Sequence, residues 1–388
     1  MKILGYKRQN GTYGIRNHIL VIPASVCASD TASKIAGLVP GAVAVPHQHG
    51  CCQVGADYRQ TMRTLVGFGC NPNVGAVLVV GLGCEGINAK QLAEDIAKTK
   101  KPAEYIIIQE NEGTLKTISK GLEILSNMSR TLSMQQREEF DISEIILGLE
   151  CGGSDPTSGI ASNPAIGKAS DMLIAAGGSS ILSETTEVIG AEHLLVERFN
   201  TEEKKKKFLR MVNDVEKRAI AMGEDLRGSQ PTPGNIEGGL STIEEKSLGC
   251  MHKAGHTYNF EDALEYAQMV PKDKKGLYFM DTPGEDIDSI TGMVAGGAQI
   301  VVFTTGRGTP TGCPIAPVIK ITGNANTYKN MIDNIDINAG KIITEGATLD
   351  DMGKEIFDKI IEVSSGSLTK AESLGHNEFG IYRIGYTF

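Results

Sequence analysis

An α/β fold with two doubly wound, mostly parallel sheets is what this sequence predicts, and three observations predict it. Short, β-branched apolar runs alternate with amphipathic stretches along most of the chain, the pattern of βαβ units whose strands are covered on both faces. The alternation breaks at one polar stretch, residues 129–143 (SRTLSMQQREEFDIS), which reads as a linker. Chemically capable residues fall repeatedly just after the apolar runs, where open α/β sheets bind their ligands. The expectation is a Rossmann-like domain over residues 1–135 and a catalytic domain over 141–388, with a cleft between the C-terminal ends of their strands.

Each element follows from its local pattern. HILVIP (18–23), AVAVP (42–46), GAVLVVG (75–81) and EYIIIQE (104–110) predict strands. Helical periodicity follows each of them, over 29–38, 58–68, 88–99 and 113–128. Beyond the linker, EIILGLE (144–150), SSILSE (179–184), GLYFMD (276–281), QIVVFTT (299–305) and PVIKIT (317–322) predict five more strands. Residues 202–222, with KKKK at 204–207, read as a charged, solvent-facing helix. Residues 228–260 form a glycine-rich stretch with little periodicity, expected as a long loop. Loops of that length are usually functional or disordered, and Asn235, Glu237, Lys246, His252 and His256 favour function. A last helix is expected over 349–364.

Composition narrows the function classes. The 388 residues are 40% apolar and 22% charged, an ordinary globular balance that excludes disorder. No apolar run approaches the ~20 residues that span a membrane, and the N-terminus carries no secretory h-region. A net charge of −9 without a basic stripe disfavours nucleic acid as a partner. The eight cysteines contain no C-x-x-C pair and read as the thiols of a cytoplasmic protein, not as a disulfide framework.

Several motifs carry chemistry. His47, His49, Cys51 and Cys52 place two imidazoles and two thiols within six residues, donors that suit iron or zinc. LECGGSDPTSG (149–159) joins Cys151, Ser154 and Asp155 to a Gly-Gly turn that lets a ligand approach the backbone. SETTEVIGAE (183–192) supplies Glu184, Glu187 and Glu192, whose plainest reading is a solvated acidic face. Arg307, in a glycine turn, offers a bidentate grip on a carboxylate. Cys70 and Cys250 read as small core or loop residues. Gly81, Gly83 and Gly86 form a G-x-G-x-x-G after a strand, with Glu110 at the end of the next one. This fingerprint makes a nicotinamide-dependent oxidoreductase the alternative from another class.

Taken together, these segments resemble the altronate/galactarate dehydratase family in its large catalytic portion, and the related sulfolactate sulfo-lyase large subunit. The resemblance runs through GYKRQNGTYGIRN (5–17), the H-x-x-G-C of 47–51, GLGCE (81–85), LECGGSDPTSGIASNPAIG (149–167) and SETTEVIGAE (183–192). It continues through PTPGNIEGGLSTIEEKSLGCMHKAG (231–255), MDTPG (280–284), VFTTGRGTPTG (302–312), PVIKITGN (317–324) and DINAG (336–340). It implies a cytoplasmic hydro-lyase that converts a small anionic sugar acid into a 2-keto-3-deoxy acid, with Fe2+ as the expected metal and Mn2+ or an iron–sulfur cluster as alternatives. It also overrules the dinucleotide reading of Gly81–Gly86. Sulfolactate is the alternative substrate.

Such an elimination needs a base for the proton beside a carboxylate, a cation for the enediolate, and an acid for the leaving hydroxyl. Lys246 is the expected base, activated by desolvation; Glu85 and His47 are the other candidate catalytic groups. Arg16, Asn17, Ser154, Asp155, Lys253 and Arg307 are the candidates for holding substrate. His47, Cys51, Cys84 and Cys151 are the expected metal ligands. Family members often carry a small β-clip domain ahead of the catalytic portion, so a separate small β-clip subunit is an expected partner, alongside a homo-oligomer.

Overall fold

The computed structural model describes residues 1–388. The N-terminal strands β1 (Lys2–Lys7) and β2 (Tyr13–Gly14) form a hairpin. Next, β3 (His18–Pro23), β4 (Ala42–Ala44), β5 (Val74–Gly81) and β6 (Ala103–Ile107) build a parallel sheet in the order β4-β3-β5-β6. Strand β7 (Glu138–Asp141) then returns to pair antiparallel with β1. The remaining strands are β8 (Ile146–Cys151), β9 (Ser179–Leu182), β10 (Phe260–Leu264), β11 (Leu277–Met280), β12 (Ile300–Thr304), β13 (Val318–Thr322) and β14 (Ile337–Asn338). They form one seven-stranded parallel sheet, ordered β10-β11-β9-β8-β12-β13-β14.

The expected α/β architecture is present, because helices cover both faces of each sheet. All eight residues of β5 and all five of β12 are buried, so apolar side chains on either face of a strand find a partner. In the larger sheet the chain runs outward from β8 through β9, β10 and β11, then returns to the other side of β8 as β12. The crevice between the C-terminal ends of β8 and β12 is therefore the topological switch point, where such sheets bind ligands. No helix is long and apolar enough to cross a membrane.

Two stretches differ from the sequence expectation. Residues 129–143 are not a bare linker. The helix Thr114–Ser133 continues through the first five of them, and β7 occupies Glu138–Asp141. Phe140 on β7, together with Ile3 and Ile15, is buried in the core under the larger sheet. The stretch 228–260 is not structureless either. It winds into short helices at Pro233–Glu237 and Ile243–Cys250 and a turn at Met251–Ala254. Thr242 caps the second of these helices by accepting from the Glu245 backbone N–H.

One apolar cluster of 33 residues spans both sheets, from Leu20, Val77 and Ile96 to Met280, Val301 and Phe303. Helices Gly55–Cys70 and Asp286–Ala295 meet across it, and Gly67 permits the approach: a Cβ there would sit 2.4 Å from the Ala295 carbonyl oxygen. The C-terminal segment straps the same seam. His49 Nε2 reaches the Ile381 carbonyl at 2.9 Å, and Asp57 accepts from the amides of Ile384 and Gly385.

Two expected substrate residues belong to this framework instead. Arg16 is 6% exposed and spends all five N–H donors inside the protein. They reach both carboxylate oxygens of Glu372 and the carbonyls of Ile15, Val363 and Ser367. Asn17 Oδ1 accepts from Arg8 at 2.7 Å. Arg16 has no N–H left for a ligand, and Asn17 Oδ1 is already taken. Arg16→Ala should therefore lower the unfolding free energy by about 3–5 kcal/mol, the usual cost of breaking a buried ion pair, as read by urea denaturation. A loss below about 1 kcal/mol, the scale of a surface pair, would contradict the structural role.

Candidate active site

The C-terminal ends of β8, β9 and β11 converge on one buried cluster of ionisable groups. Glu150 and Cys151 end β8. Glu184 follows β9 and Thr282 follows β11, and Asp286 opens the helix Asp286–Ala295. Helix Ile243–Cys250 and the turn after it supply Lys246, Cys250 and Lys253, residues spaced to share one helical face. Gly152 is required by a close approach: a Cβ there would sit 2.3 Å from Asp286 Oδ2. Glu184 is held at φ +69°, a left-handed conformation uncommon for a residue with a side chain.

Two lysines share one glutamate at the centre. Lys246 Nζ lies 2.8 Å from Glu187 Oε1, and Lys253 Nζ lies 3.4 Å from Glu187 Oε2 and 2.8 Å from Glu184 Oε2. The Cys151 thiol donates to Glu187 Oε2 at 2.8 Å, and its sulfur sits 2.8 Å from Lys253 Nζ and 3.4 Å from Cys250 Sγ. Ser289 donates to Glu150 Oε2 at 2.7 Å. Glu184 Oε1 is buried with no hydrogen-bond partner.

Burial and charge act against each other here. Burial alone would raise the Glu187 pKa, but Lys246 and Lys253 outweigh it and hold the carboxylate below its ordinary range. Burial would likewise lower Lys246, but Glu187 overrides it and keeps the ammonium charged beyond the usual lysine range. Lys253 is raised in the same way against burial, with Glu184 and Glu187 as its charged partners. Glu150 is pushed well up by burial and by Glu184. Burial and the neighbouring Glu184 and Glu187 push Asp286 up to about 8. The Cys151 thiol is raised by burial and by Cys250 and stays protonated. A thiol lends no charge, so the two glutamates carry the Lys253 ammonium.

A cavity of about 240 Å³ opens beside this cluster, lined among others by Ser154, Asp155, Asn163, Lys246, Cys250 and His252. It is smaller than the about 300–1,000 Å³ typical for drug-sized ligands, so it suits a small molecule. The Ser154 hydroxyl is buried there without a partner. His252 Nδ1 lies 3.1 Å from His256 Nε2, and burial, with His256, lowers its pKa, leaving a neutral imidazole at pH 7.

The structure redistributes the expected site residues. Lys246, Ser154 and Asp155 line the cavity, and Lys253 stands in the cluster behind it as a fully buried cation. Asp155 turns one oxygen onto Ser158 and Thr157 and the other onto Asn324, so it shapes the loop. Arg307 is half exposed and only loosely held by the Gly234 carbonyl and Glu237, which leaves it free to grip an anion. Lys246 is the main correction. Its expected role as a base required a lowered pKa, and the ion pair with Glu187 gives the opposite.

The expected metal ligands do not assemble. Cys151 meets Glu187 and Cys250, not His47, Cys51 or Cys84. His47 bonds the Pro23 carbonyl at 2.8 Å, and burial lowers its pKa to about 4. Cys51 and Cys84 are exposed thiols at the edge of the smaller sheet, Cys51 lying 3.7 Å from Cys52. Glu85 accepts from the amides of Leu82 and Gly83. It is a loop cap, and it occupies the N–H groups that a pyrophosphate would need at Gly81–Gly86.

Two other groups bring three donor atoms together: Cys151, Glu187 and Cys250, and the trio Glu150, Glu184 and Asp286. Lysines already stand on the first trio's donors, so a cation there would meet like charge. The second presents oxygens only, the donors a hard divalent ion takes, with Lys253 likewise 2.8 Å from Glu184 Oε2.

Residues 142–387 match the family model described as D-galactarate/altronate dehydratase, C-terminal, and residues 5–133 match that of the second domain of D-galactarate dehydratase/altronate hydrolase. The chain belongs to the altronate/galactarate dehydratase family. It is 37% identical to the (2R)-sulfolactate sulfo-lyase subunit beta of Chromohalobacter salexigens, over 98% of this chain and 97% of that one. It is 35% identical to the altronate dehydratase of Bacillus subtilis, over 99% of this chain and 78% of the relative. With the galactarate dehydratase (L-threo-forming) of Escherichia coli it shares 36% identity, over 83% of this chain and 62% of the relative.

The reading of the sequence missed Glu150, Cys250 and Asp286, and took Glu187 for a solvated face. The i, i+4, i+7 spacing of Lys246, Cys250 and Lys253 was the available signal. The network itself is testable by pH. Because the folded pKa of Glu187 is depressed, its stabilisation is full above the ordinary carboxylate pKa and is lost as pH falls below it. Glu187→Gln should thus cost about 3–5 kcal/mol in urea unfolding at pH 7, and less at pH 4. A pH-independent difference would show that Glu187 is not held as a carboxylate.

Proposed function

We propose that this chain is the catalytic subunit of a hydro-lyase that dehydrates a sugar acid, altronate or galactarate, to a 2-keto-3-deoxy acid. The observation that carries this reading is the cavity in which a neutral imidazole, His252, faces a fixed ammonium, Lys246. Full-length similarity to dehydratases supports the reaction class.

In this reading the substrate carboxylate lies against Lys246 and Ser154, with Arg307 on the distal polar groups. His252 removes the proton next to the carboxylate, and His256, 3.1 Å away, helps to spread the positive charge that results. The Lys246 ammonium balances the enediolate, and its ion pair with Glu187 keeps it from moving or losing its proton. The imidazolium then returns its proton to the β-hydroxyl, which departs as water. Glu184, Lys253 and Cys151 are positioning residues that fix Glu187 from behind. A divalent metal ion, for which iron is our reading, would supply further Lewis-acid stabilisation when bound.

One observation favours a second reading. The sulfo-lyase subunit matches at 97% of its own length, whereas the altronate dehydratase extends beyond the match. Expulsion of sulfite from sulfolactate would use the same first step. Anaerobic incubation with ferrous iron and a panel of altronate, galactarate and sulfolactate separates the cases. Keto-deoxy acid without sulfite is expected; sulfite alone would move the assignment to the sulfo-lyase, and NADH formation without either would remove the lyase reading. His252→Gln should lower kcat about 10²–10⁴-fold, the usual contribution of a positioned acid–base group, with KM little changed.

We also propose a small partner subunit, supported by the relative that is itself named as a subunit. Adding a small β-clip subunit to the purified chain should raise turnover by excluding water from the cavity. Full activity of the chain alone would defeat this partner.

A further inference from the structure

We propose that the cavity at the N-terminal ends of β8, β9 and β11 is a second binding site, for a small organic anion with an apolar body. It encloses about 460 Å³, within the about 300–1,000 Å³ of sites for drug-sized ligands and nearly twice the cavity beside Lys246. Both halves of the chain build it. Asn10, Pro72 and Thr99 come from turns of the N-terminal half, whereas Glu144, Ser179 and Lys272 precede or open strands of the larger sheet. Those strands run from this cavity to the Glu187 cluster, so the two sites stand at opposite ends of the same sheet. The six residues of β8 set them about 20 Å apart.

Groups in its walls are unspent. Lys274 pairs with Glu261 and Lys98 with Asp95, at 2.5 and 2.6 Å, but Lys272 and Lys275 have no carboxylate partner. Ser179 is fully buried; its hydroxyl accepts from the Gly276 amide at 3.3 Å, and its own proton has no acceptor in the protein. A buried donor left without an acceptor is costly, and a ligand oxygen would relieve it. Asn10 Oδ1 is taken by the Thr12 amide and hydroxyl, which leaves the Asn10 amide N–H groups free. The same walls carry Pro72, Ile146, Met269 and Pro271. Met269 is 42% exposed, an adaptable apolar side chain left uncovered.

Charge selects an anion. Lys98 and Asp95 cancel, which leaves Lys272 and Lys275 against Glu144, a local excess of positive charge on a chain whose total is −9. Lys275 precedes β11 and Glu144 precedes β8, with β9 between those strands. Two strand spacings therefore put their backbones about 10 Å apart. A ligand that reaches both carries its anionic group at one end and an N–H or O–H donor at the other, with an apolar frame against the wall. A bare inorganic anion would leave the apolar wall and Glu144 unused.

Binding at this site is separable from the reaction, so its test needs no turnover. Full-length protein is titrated with anilinonaphthalene sulfonate, which joins one sulfonate and one N–H to two aromatic ring systems, and the probe's fluorescence is followed. One bound probe per chain is expected, with a rise in Tm because only the folded chain brings the two halves of the site together. Phenylnaphthylamine, the same frame without the sulfonate, should bind at least tenfold more weakly, and equimolar sodium sulfate should not displace the probe. The double variant Lys272→Glu/Lys275→Glu should weaken binding at least tenfold with an unchanged circular dichroism spectrum, since neither lysine makes an ion pair in the protein. Arg307→Ala, at the other cavity, should leave the affinity unchanged. Absence of saturable binding, equal affinity for the neutral frame, displacement by sulfate, or unchanged affinity in the folded double variant would each overturn the site. Loss of binding in Arg307→Ala would do so too, by moving the probe to the cavity beside Lys246.

Discussion

Glu187 is the constraint around which the second sheet's functional end is organised. It receives two lysines and a thiol, and each of those groups is anchored elsewhere: Lys246 in the helix Ile243–Cys250, Lys253 in the turn beyond it, Cys151 at the end of β8. A buried pair of this kind seldom adds net stability, because desolvation offsets the Coulombic gain. Its value lies in what it forbids. Removing Glu187 or a lysine leaves an uncompensated charge in the core, so the helix, the β8 end and the turn after β9 are locked into one arrangement. The same ion pair favours the charged form of Lys246 at the cavity wall, which suits charge stabilisation over proton abstraction.

The fold explains why the cluster can exist at all. A parallel sheet covered by helices is dry on both faces, and only the strand ends open to ligands. The doubling back of the chain at β8 places two strand ends, β8 and β12, side by side without a connection crossing between them. The Gly152–Gly153 turn fills that gap with backbone alone. Gly306 and Arg307 donate their amides to Gly153, and the absent Cβ of Gly152 is what admits Asp286. A polar cluster in the middle of such a sheet would be untenable; at its switch point Glu184 and Glu187 meet lysines and Glu150 meets the Ser289 hydroxyl.

The strands and most helices were legible in the sequence because burial on both faces writes itself as short β-branched runs. What was illegible has a common cause. Strand β1 alternates exposed and buried residues, and β7 and β14 are short edge strands, so none of them carries a continuous apolar run. The helices within 228–260 are too short for a periodicity to rise above the glycines. In the site, residue type was readable but the state of each residue was not. Lys246 looked like a desolvated base because the sequence cannot show which carboxylate stands 2.8 Å away. Arg16 looked like an anion-binding group because nothing near it in sequence reveals Glu372, more than 350 positions later. His47, Cys51 and Cys84 follow strands of the smaller sheet, but Cys151 ends a strand of the larger one and answers to other partners.

Water and sulfite elimination, the two activities in the names of the relatives, begin with the same event on our reading: removal of a proton beside a carboxylate. On the same reading the Glu187 network would serve that shared step by fixing the cation that faces the developing enediolate. Choice of leaving group must then arise where the network does not reach, on the solvent side of the cavity. There Ile160 and Leu248 stand exposed and Leu240 is packed inside. A hydroxyl leaves with a proton delivered to it, whereas sulfite leaves as an anion and asks instead for donors that can hold it. Arg307, half exposed and loosely tied, is the one guanidinium beside the Gly153–Asp155 loop with N–H groups to spare. On this reading a change of leaving group calls for changes at the rim of the cavity, while altering the buried charges would dismantle the arrangement that holds Lys246.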